Sequence, residues 1–486
     1  MKKGNLIQKQ FLKGQGLIGL LLLIIFSLPV KADVKPAGIF SSDMVLQRNQ
    51  SIVIWGWADK GERVSVTFNS ITRKIKTDAS GKWKVIFPEM KEGGPYDMKL
   101  QGKNVITFNN ILIGDLWICS GQSNMGVSVK NGKDPAQEIA AANYPFLRLF
   151  NVSRNMPGEP AADIKSTSWK VCTPESIAEF SAVAYYFGRE IFKELNVPIG
   201  LIHTSWGGSN VEAWTSMDYL TKVDKYRNYP AVLAETLQKI EPGTDVHPNK
   251  IHTSLYNGMI HPIVELPVKG VIWYQGESNA YEGILYRTLF PNMIQCWRDK
   301  WKQPDLPFLF VQLANYTDEL PEPAESNWAR LREAQLLSLS VPNTAMTVAI
   351  DVGEAKDIHP KNKQDVGYRL SQNALKLVYN KPVADSGPVY KSMQTEGNKI
   401  ILTFKNVEGG LAAKDKYGYV KSFAIAGSDK KFYWAKAMIK GDQVVVYSDK
   451  VPNPVAVRYA WADNPGDANL YNTAGFPASP FRTDQW

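Results

Sequence analysis

The chain has 486 residues, of which 44% are hydrophobic and 21% charged, a composition typical of globular proteins. Its formal charge is +9, but five lysines lie in residues 1–32, which carry no acidic residue, so removing those five charges leaves about +4. This mild excess and the lack of any Lys/Arg cluster argue against nucleic acid as a partner. At roughly 150 residues per domain, the length predicts about three domains.

Residues 1–32 have the pattern of a secretory signal peptide. A basic leader precedes an apolar run at residues 17–26, and Val30-Lys31-Ala32 supplies modest side chains at the cleavage-determining positions. We therefore expect this segment to be removed and the mature protein to be periplasmic or extracellular, without membrane attachment. The alternative is an uncleaved membrane anchor, although the run is short for a span.

The cysteine count is odd for an exported protein. At most one disulfide can form within the chain, and the spacing does not select a pair. Cys119 is favoured as a small buried apolar residue. The three cysteines are Cys119, Cys172 and Cys296.

Residues 33–110 predict a β-sandwich-like domain. The runs at 51–57 and 63–68 alternate in polarity or are β-branched, and turn residues separate the runs at 59–62, 78–81 and 92–95. Short strands at this spacing are typical of a sandwich.

The sequence pattern changes in residues 111–382, where short apolar runs alternate with helical patterns and predict an α/β domain. A mainly helical insertion is expected at about 211–260. Residues 383–486 again favour strands and predict a C-terminal β-rich domain. The predicted strands are 111–118, 199–203, 267–274, 307–313, 344–350, 399–404 and 443–447, and the predicted helices are 180–191 and 365–377.

The turn after the run at 111–118 holds the main candidate for chemistry. Gly121 permits a tight turn, and Ser123 then lies at the carboxyl end of a predicted strand, where open α/β folds place their active sites. An ordinary Ser/Asn turn after a strand is the alternative. The residues found later in the chain favour the functional interpretation.

A serine hydroxyl needs a base to become a good nucleophile. Among the five histidines, His359 lies in the loop between the last core strand and the closing helix, at the same end of the sheet as Ser123. We therefore predict His359 as the base. Asp357 is a candidate to orient its ring, with Asp351, Glu354 or a backbone carbonyl as alternatives. The other histidines are His203, His247, His252 and His261.

Acyl transfer also requires hydrogen-bond donors for a developing oxyanion. The backbone N–H of Ser123 is one candidate, and the turn at Gly207-Gly208 offers others without an obstructing side chain. The amide of Gln275 or Asn279 could supply a third, although either polar turn could also be purely structural. Glu277, an alternative acid, is favoured for a structural role in its loop.

Three strand-end turns and the later Asp-x-His resemble the four-block layout of SGNH hydrolases. More closely, the chain resembles the sialate O-acetylesterase family of carbohydrate esterases, over nearly the whole mature sequence. The matching segments are 44–47, 54–57, 119–125, 207–208, 256–259, 275–278, 358–360, 458–461 and 481–484.

This resemblance implies a three-layer α/β/α core of the SGNH type with flanking all-β domains. It implies Ser123 as nucleophile, His359 as base, and oxyanion donors from Ser123, from Gly207 or Gly208, and from Gln275. The Asp-x-His spacing departs from the Asp-x-x-His that is common in SGNH hydrolases.

The expected function is a secreted serine esterase that removes O-acetyl groups from a sugar, with O-acetylated sialic acid as the expected substrate. No cofactor and no metal are implied, since the chain has neither His-Glu-x-x-His nor paired Cys-x-x-Cys. The alternatives are an acetylxylan esterase and a non-catalytic carbohydrate-binding protein.

Overall fold

The computed structural model describes residues 33–165, 167–239, 247 and 251–486. The predicted signal peptide lies outside them. Among the described helices, none combines the length and the apolar character that a membrane span needs.

The N-terminal part consists of seven strands. The first, third and sixth form a three-stranded sheet, and the others join a larger sheet through the eighth strand. The seven strands are β1 (Lys35–Pro36), β2 (Val45–Gln47), β3 (Ile52–Trp57), β4 (Arg63–Phe68), β5 (Ile71–Lys76), β6 (Lys82–Phe87) and β7 (Gly93–Gln101).

Strand β8 (Val105–Gly121) connects this β region to the core of the protein. Its first part pairs antiparallel with β7, whereas the part from Asp115 onward pairs in parallel with strands of the core. Burial alternates up to Asn110 and is complete from Ile111 to the end of the strand. The predicted domain boundary at 110/111 therefore falls inside a continuous strand, because the change in sequence pattern marks a change of environment and not a linker.

The core sheet has the order β10-β9-β11-β8-β12-β13-β14. Every neighbouring pair is parallel except β10 with β9. The chain runs from β8 to one side of the sheet and later returns to the other side, so the strand order reverses beside β8, where such folds place their ligands. The added strands are β9 (Tyr144–Asn151), β10 (Lys170–Cys172), β11 (Ile199–Ser205), β12 (Gly270–Tyr274), β13 (Phe308–Gln312) and β14 (Thr344–Val348).

The helices connect these strands. α4 packs against α9, and α7 packs against α8. α4 begins two residues later than predicted because the Ser181 hydroxyl caps it by accepting the Ala184 N–H. The α-helices are α1 (Ser123–Gly126), α2 (Pro135–Ala140), α3 (Pro174–Ile177), α4 (Ala182–Leu195), α5 (Met217–Leu220), α6 (Tyr229–Lys239), α7 (Gly283–Trp301), α8 (Asn327–Leu337) and α9 (Lys363–Leu377).

The C-terminal part is built from strands, as predicted. They form a five-stranded, a four-stranded and a two-stranded sheet. Buried Arg332 of α8 joins this part to the core, since its guanidinium donates to the carbonyls of Leu313 and Ala462. The strands are β15 (Val389–Glu396), β16 (Lys399–Lys405), β17 (Leu411–Ala413), β18 (Tyr419–Val420), β19 (Phe423–Ala426), β20 (Phe432–Trp434), β21 (Lys436–Lys440), β22 (Gln443–Tyr447), β23 (Ala456–Tyr459), β24 (Leu470–Asn472) and β25 (Phe481–Arg482).

Candidate active site

Ser123 and His359 meet at the carboxyl end of the core sheet. Ser123 begins α1 one residue after the end of β8, and His359 lies in the loop between β14 and α9. The Nε2 atom of His359 is 2.8 Å from the Oγ atom of Ser123, across 236 positions of sequence. This distance lets the imidazole accept the hydroxyl proton.

The turn that presents Ser123 is locked to its two neighbours. Gly121 has φ 137°, and a Cβ atom there would lie 2.1 Å from the carbonyl oxygen of Tyr274, so only glycine fits. The Gln122 side-chain oxygen accepts the N–H groups of Gly276 and Ser278 at 3.2 Å each. The N–H of Trp206 donates to the carbonyl of Gly121. The turns after β8, β11 and β12 thus form one rigid unit.

The Ser–His pair opens onto a cleft of about 480 Å³. Side chains of both charge signs surround it. The lining residues are Ser123, Gly126, Val127, Ser128, Asn131, Arg154, Ser205, Gly207, Asp357, His359 and Lys361.

Asp357 is close to the His359 ring but does not hydrogen-bond it. Its Oδ1 atom accepts the backbone N–H of His359 at 2.8 Å and lies 3.7 Å from Nδ1, beyond hydrogen-bond range. The carboxylate therefore shapes the loop as an Asx turn and acts on the ring through its charge alone.

The other candidate acids are engaged elsewhere. Both carboxylate oxygens of Asp351 pair with Arg369. The carboxylate of Glu354 accepts the backbone N–H of Lys361. Neither acid orients the His359 ring.

Burial lowers the pKa of His359, and the Asp357 charge opposes that change. The nearby Lys363 ammonium adds a further lowering. The ring is consequently neutral near pH 7, which is the form that accepts a proton.

Two backbone N–H groups close to the Ser123 hydroxyl have no hydrogen-bond acceptor among the described residues. Neither Ser123 nor Gly207 donates its N–H to a partner within the described part of the chain. A Cβ atom on Gly207 would lie 3.4 Å from the Ser123 Cβ, so the two residues are adjacent. A Cβ atom on Gly208 would instead lie 2.2 Å from the His247 ring, so the Cβ side of that residue is turned toward His247. Of the two predicted glycines, Gly207 therefore faces the serine.

The structure does not support the prediction that the Gln275 side chain supplies an oxyanion donor. Its side chain is fully buried, and its Nε2 donates to the Ser209 carbonyl at 3.2 Å and to the Asn279 Oδ1 at 2.8 Å. Both N–H groups are thus used within the protein. Gln275 braces the turns, and Asn279 accepts this bond and donates to Glu212.

A buried polar network lies behind the Ser–His pair. The Nδ2 atom of Asn124 donates to Glu277 Oε1 at 2.5 Å and to the Ile358 carbonyl at 2.9 Å. Lys363 Nζ donates to Asn124 Oδ1, also at 2.5 Å. Asn124 follows the serine and Ile358 precedes the histidine, so this network ties the two halves of the pair together.

The network is electrostatically costly. Burial lowers the pKa of Lys363 to about 7 and raises the pKa of Glu277, while each charge favours the charged form of the other. The Oε2 atom of Glu277 is buried and has no hydrogen-bond partner within the described residues. Such a network is retained for a positioning role more readily than for stability.

Sequence reasoning missed Lys363 and gave Asn124 no role. One available signal was that Lys363 is the first residue of α9, where a cation opposes the helix dipole. A lysine in that position indicates a specific partner nearby. The structural role favoured for Glu277 agrees with its bond to Asn124.

Residues 113–376 match the family model of the carbohydrate esterases described as sialic acid-specific acetylesterases. The sialate O-acetylesterases of Mus musculus and Homo sapiens are each 31% identical to this chain; the alignments cover 95% of it and 97% and 96% of those proteins. The chain belongs to this family. A crystal structure of a carbohydrate acetylesterase from Xanthomonas citri superposes with a TM-score of 0.85 at 40% identity, covering 93% of this chain and all of that one. The predicted family and the predicted class of carboxylic-ester hydrolase are confirmed.

A second Ser–His pair borders the esterase cleft through Ser205. His203 Nε2 is 2.7 Å from Ser205 Oγ, and His203 Nδ1 is 2.8 Å from Asn151 Oδ1. Burial, with the Arg154 cation as a smaller cause, lowers the pKa of His203 to about 4. Sequence analysis placed His203 at a strand end but did not anticipate this pairing.

The three cysteines are free and buried. Burial raises the pKa of Cys119 well above its ordinary value, so its thiol stays protonated. Cys119 behaves as a core residue of β8, in agreement with the sequence prediction.

Proposed function

We propose that this protein is an exported esterase that removes O-acetyl groups from sialic acid. The observation that carries the proposal is the 2.8 Å contact between Ser123 Oγ and His359 Nε2, in an open cleft beside two unpaired N–H groups. The names of the relatives support the substrate. The signal-peptide pattern supports export.

In the first half of the reaction, Ser123 Oγ attacks the acetyl carbonyl carbon while His359 Nε2 takes the hydroxyl proton. The carbonyl oxygen becomes an oxyanion that the N–H groups of Ser123 and Gly207 stabilise. The tetrahedral intermediate collapses when the bond to the sugar oxygen breaks. His359 then protonates that oxygen, which leaves a free sugar hydroxyl and an acetyl-serine.

In the second half, His359 takes a proton from a water molecule that attacks the acetyl-serine carbonyl. The same two N–H groups stabilise the second oxyanion. Return of the proton to Ser123 Oγ releases acetate, and the enzyme is regenerated. The Asp357 charge stabilises the imidazolium that forms in each half.

The core sheet and its helix pairs support assignment to the SGNH type, with three α/β/α layers. In this interpretation α4 with α9 covers one face of the sheet, and α7 with α8 covers the other. The turns after β8, β11 and β12 and the His359 loop then correspond to the four sequence blocks.

Acetate release decides between this function and its alternatives. The purified mature protein is incubated with O-acetylated sialic acid and, separately, with acetylated xylan, and free acetate is measured. Release from the sialate at the higher kcat/KM supports the proposal. Higher kcat/KM on xylan identifies an acetylxylan esterase, and release from neither substrate favours a non-catalytic carbohydrate-binding protein.

A further inference from the structure

The cleft contains an arginine, Arg154, whose charge has no ion-pair partner among the described residues. The guanidinium of Arg154 lies 5.4 Å from the centre of the Trp206 ring, and its side chain is exposed. It makes no ion pair or side-chain hydrogen bond within the described residues. Trp206 directly precedes Gly207, so the cation is held beside the reaction centre.

The charges around Arg154 favour an anionic ligand. Among the described residues that line the cleft, Arg154 and Lys361 are the cations and Asp357 is the carboxylate. Asp357 already accepts the His359 N–H, and the nearby half-buried His203 is neutral at physiological pH, because desolvation lowers its pKa to about 4. The described lining of the cleft therefore has an excess of positive charge.

The loop that carries Arg154 is anchored on both sides. The N–H of Val152 donates to the His203 carbonyl at 2.9 Å. Beyond Arg154, a Cβ atom on Gly258 would lie 2.3 Å from the Asn155 carbonyl oxygen, so the loop packs directly on that glycine. Asn257 Nδ2 also donates to the Gly158 carbonyl at 2.8 Å.

These contacts give a structural role to the motif at residues 256–259. The proposed esterase mechanism uses none of these residues in a chemical step. The motif forms a π-helix, Tyr256–Ile260, a rare geometry that is frequent at functional sites. Its Asn and Gly fix the loop at residues 152–161, and the Trp206 ring supports the guanidinium. The arginine is thus preorganised and not a freely mobile surface side chain.

We propose that Arg154 binds the carboxylate of the substrate sugar while Ser123 attacks its acetyl group. This inference rests on the proposed sialate function. A guanidinium fork matches a carboxylate with two parallel N–H···O bonds, and stacking on an aromatic ring fixes its plane. Sialic acids carry one carboxylate per ring, whereas the xylose units of acetylated xylan carry none. Arg154 is therefore the specificity-determining residue that separates these substrates.

The test compares an O-acetylated sialic acid with its methyl ester, which has the same acetyl group but no carboxylate charge. The wild type and the variants Arg154→Gln, Arg154→Lys and Lys361→Gln are assayed for kcat/KM. We expect the wild type to prefer the free acid by roughly 10- to 100-fold, the range for a charge-assisted hydrogen-bonded pair. Arg154→Gln should bring the ratio close to one, and Arg154→Lys should give an intermediate ratio.

Lys361→Gln is the matched control, because it removes the other cleft cation and should retain most of the preference. Hydrolysis of 4-nitrophenyl acetate by Arg154→Gln shows that the variant has folded with an assembled Ser–His pair. If Arg154→Gln lowers kcat/KM by the same factor on the free acid and on its methyl ester, Arg154 does not bind the carboxylate. The sialate function would remain intact in that case. A wild type that hydrolyses 4-nitrophenyl acetate but neither sialate would overturn both.

Discussion

Two Ser–His pairs share one cleft in this esterase, and they differ in almost everything except the distance between their atoms. Ser123 with His359 and Ser205 with His203 have separations of 2.8 and 2.7 Å. Both histidines are half-buried, but His359 lies beside a carboxylate, whereas His203 lies beside the neutral amide of Asn151. Distance alone would not distinguish them.

The difference indicates which Ser–His pair is suited to catalysis. A general base must accept a proton and hold it as a cation, and burial without a nearby anion opposes that step. His203, with a pKa of about 4, is too weak a base near neutral pH. Ser123 also lies beside two N–H groups, its own and that of Gly207, that have no partner within the described residues. The second pair is therefore interpreted as a rigid wall of the cleft.

The largest expected effect comes from Ser123→Ala. Acetate release should fall by roughly 10⁴-fold or more, since the nucleophile and its acyl intermediate are lost. Acetate release under substrate saturation measures the loss, and circular dichroism provides the folding control. If activity survives Ser123→Ala but vanishes in Ser205→Ala, the roles assigned to the two pairs are reversed.

The contrast between the two pairs also shows what the sequence could and could not reveal. Ser123 and His359 were predictable because each follows a recognisable strand at the same end of a parallel sheet. The second pair is formed within three residues at the end of β11, and the desolvation of its histidine depends on side chains from other elements. Gln275 was misassigned because a polar turn looks the same whether its amide faces a cleft or braces a neighbouring turn.

The fold, too, was predictable in some parts and not in others. The α/β alternation and the terminal β regions follow from local patterns of polarity. The continuity of β8 across 110/111 could not be deduced, because the pattern of burial changes there while the hydrogen-bonded strand does not end. The Lys363 network likewise depends on contacts between residues more than 150 positions apart.

Lys363→Met tests the buried network behind the Ser123–His359 pair, because it removes the ammonium that donates to Asn124. The Glu277 carboxylate would lose its counter-charge, and Asn124 would lose the donor that orients it, so the His359 loop should shift. We expect turnover to slow by about 10²-fold, the size of effect that a 1 Å displacement produces. The midpoint of thermal unfolding should also fall, because a buried charge is left unpaired.

The double variant Lys363→Met/Glu277→Gln separates these two effects. Removal of both charges should recover much of the stability but not the full turnover rate, because the lysine donor to Asn124 is still missing. Full recovery of both quantities would mean that the network contributes to stability only.

Asp357→Asn tests the charge beside His359. The free base is active, so kcat/KM rises as pH increases through the His359 pKa, which lies below its ordinary value of 6.5. The Asp357 charge raises that pKa, so its removal should move the acidic limb to still lower pH. We expect turnover to slow only about five- to tenfold, since the carboxylate is half-exposed and not hydrogen-bonded to the ring. An acidic limb of the Asp357→Asn pH profile that moves to higher pH would contradict this electrostatic role.

The smallest effect is expected from Ser205→Ala, which removes the hydroxyl of the second pair and leaves the first intact. The change in kcat/KM should stay within about threefold, because the variant loses one polar atom of the cleft wall and no group that gains charge in the reaction. Its pH profile should coincide with that of the wild type, since His203 stays neutral with or without the hydroxyl. Much slower turnover or a displaced acidic limb would instead show that His203 exchanges protons during the reaction, and the two pairs would then have to be regarded as a single catalytic unit.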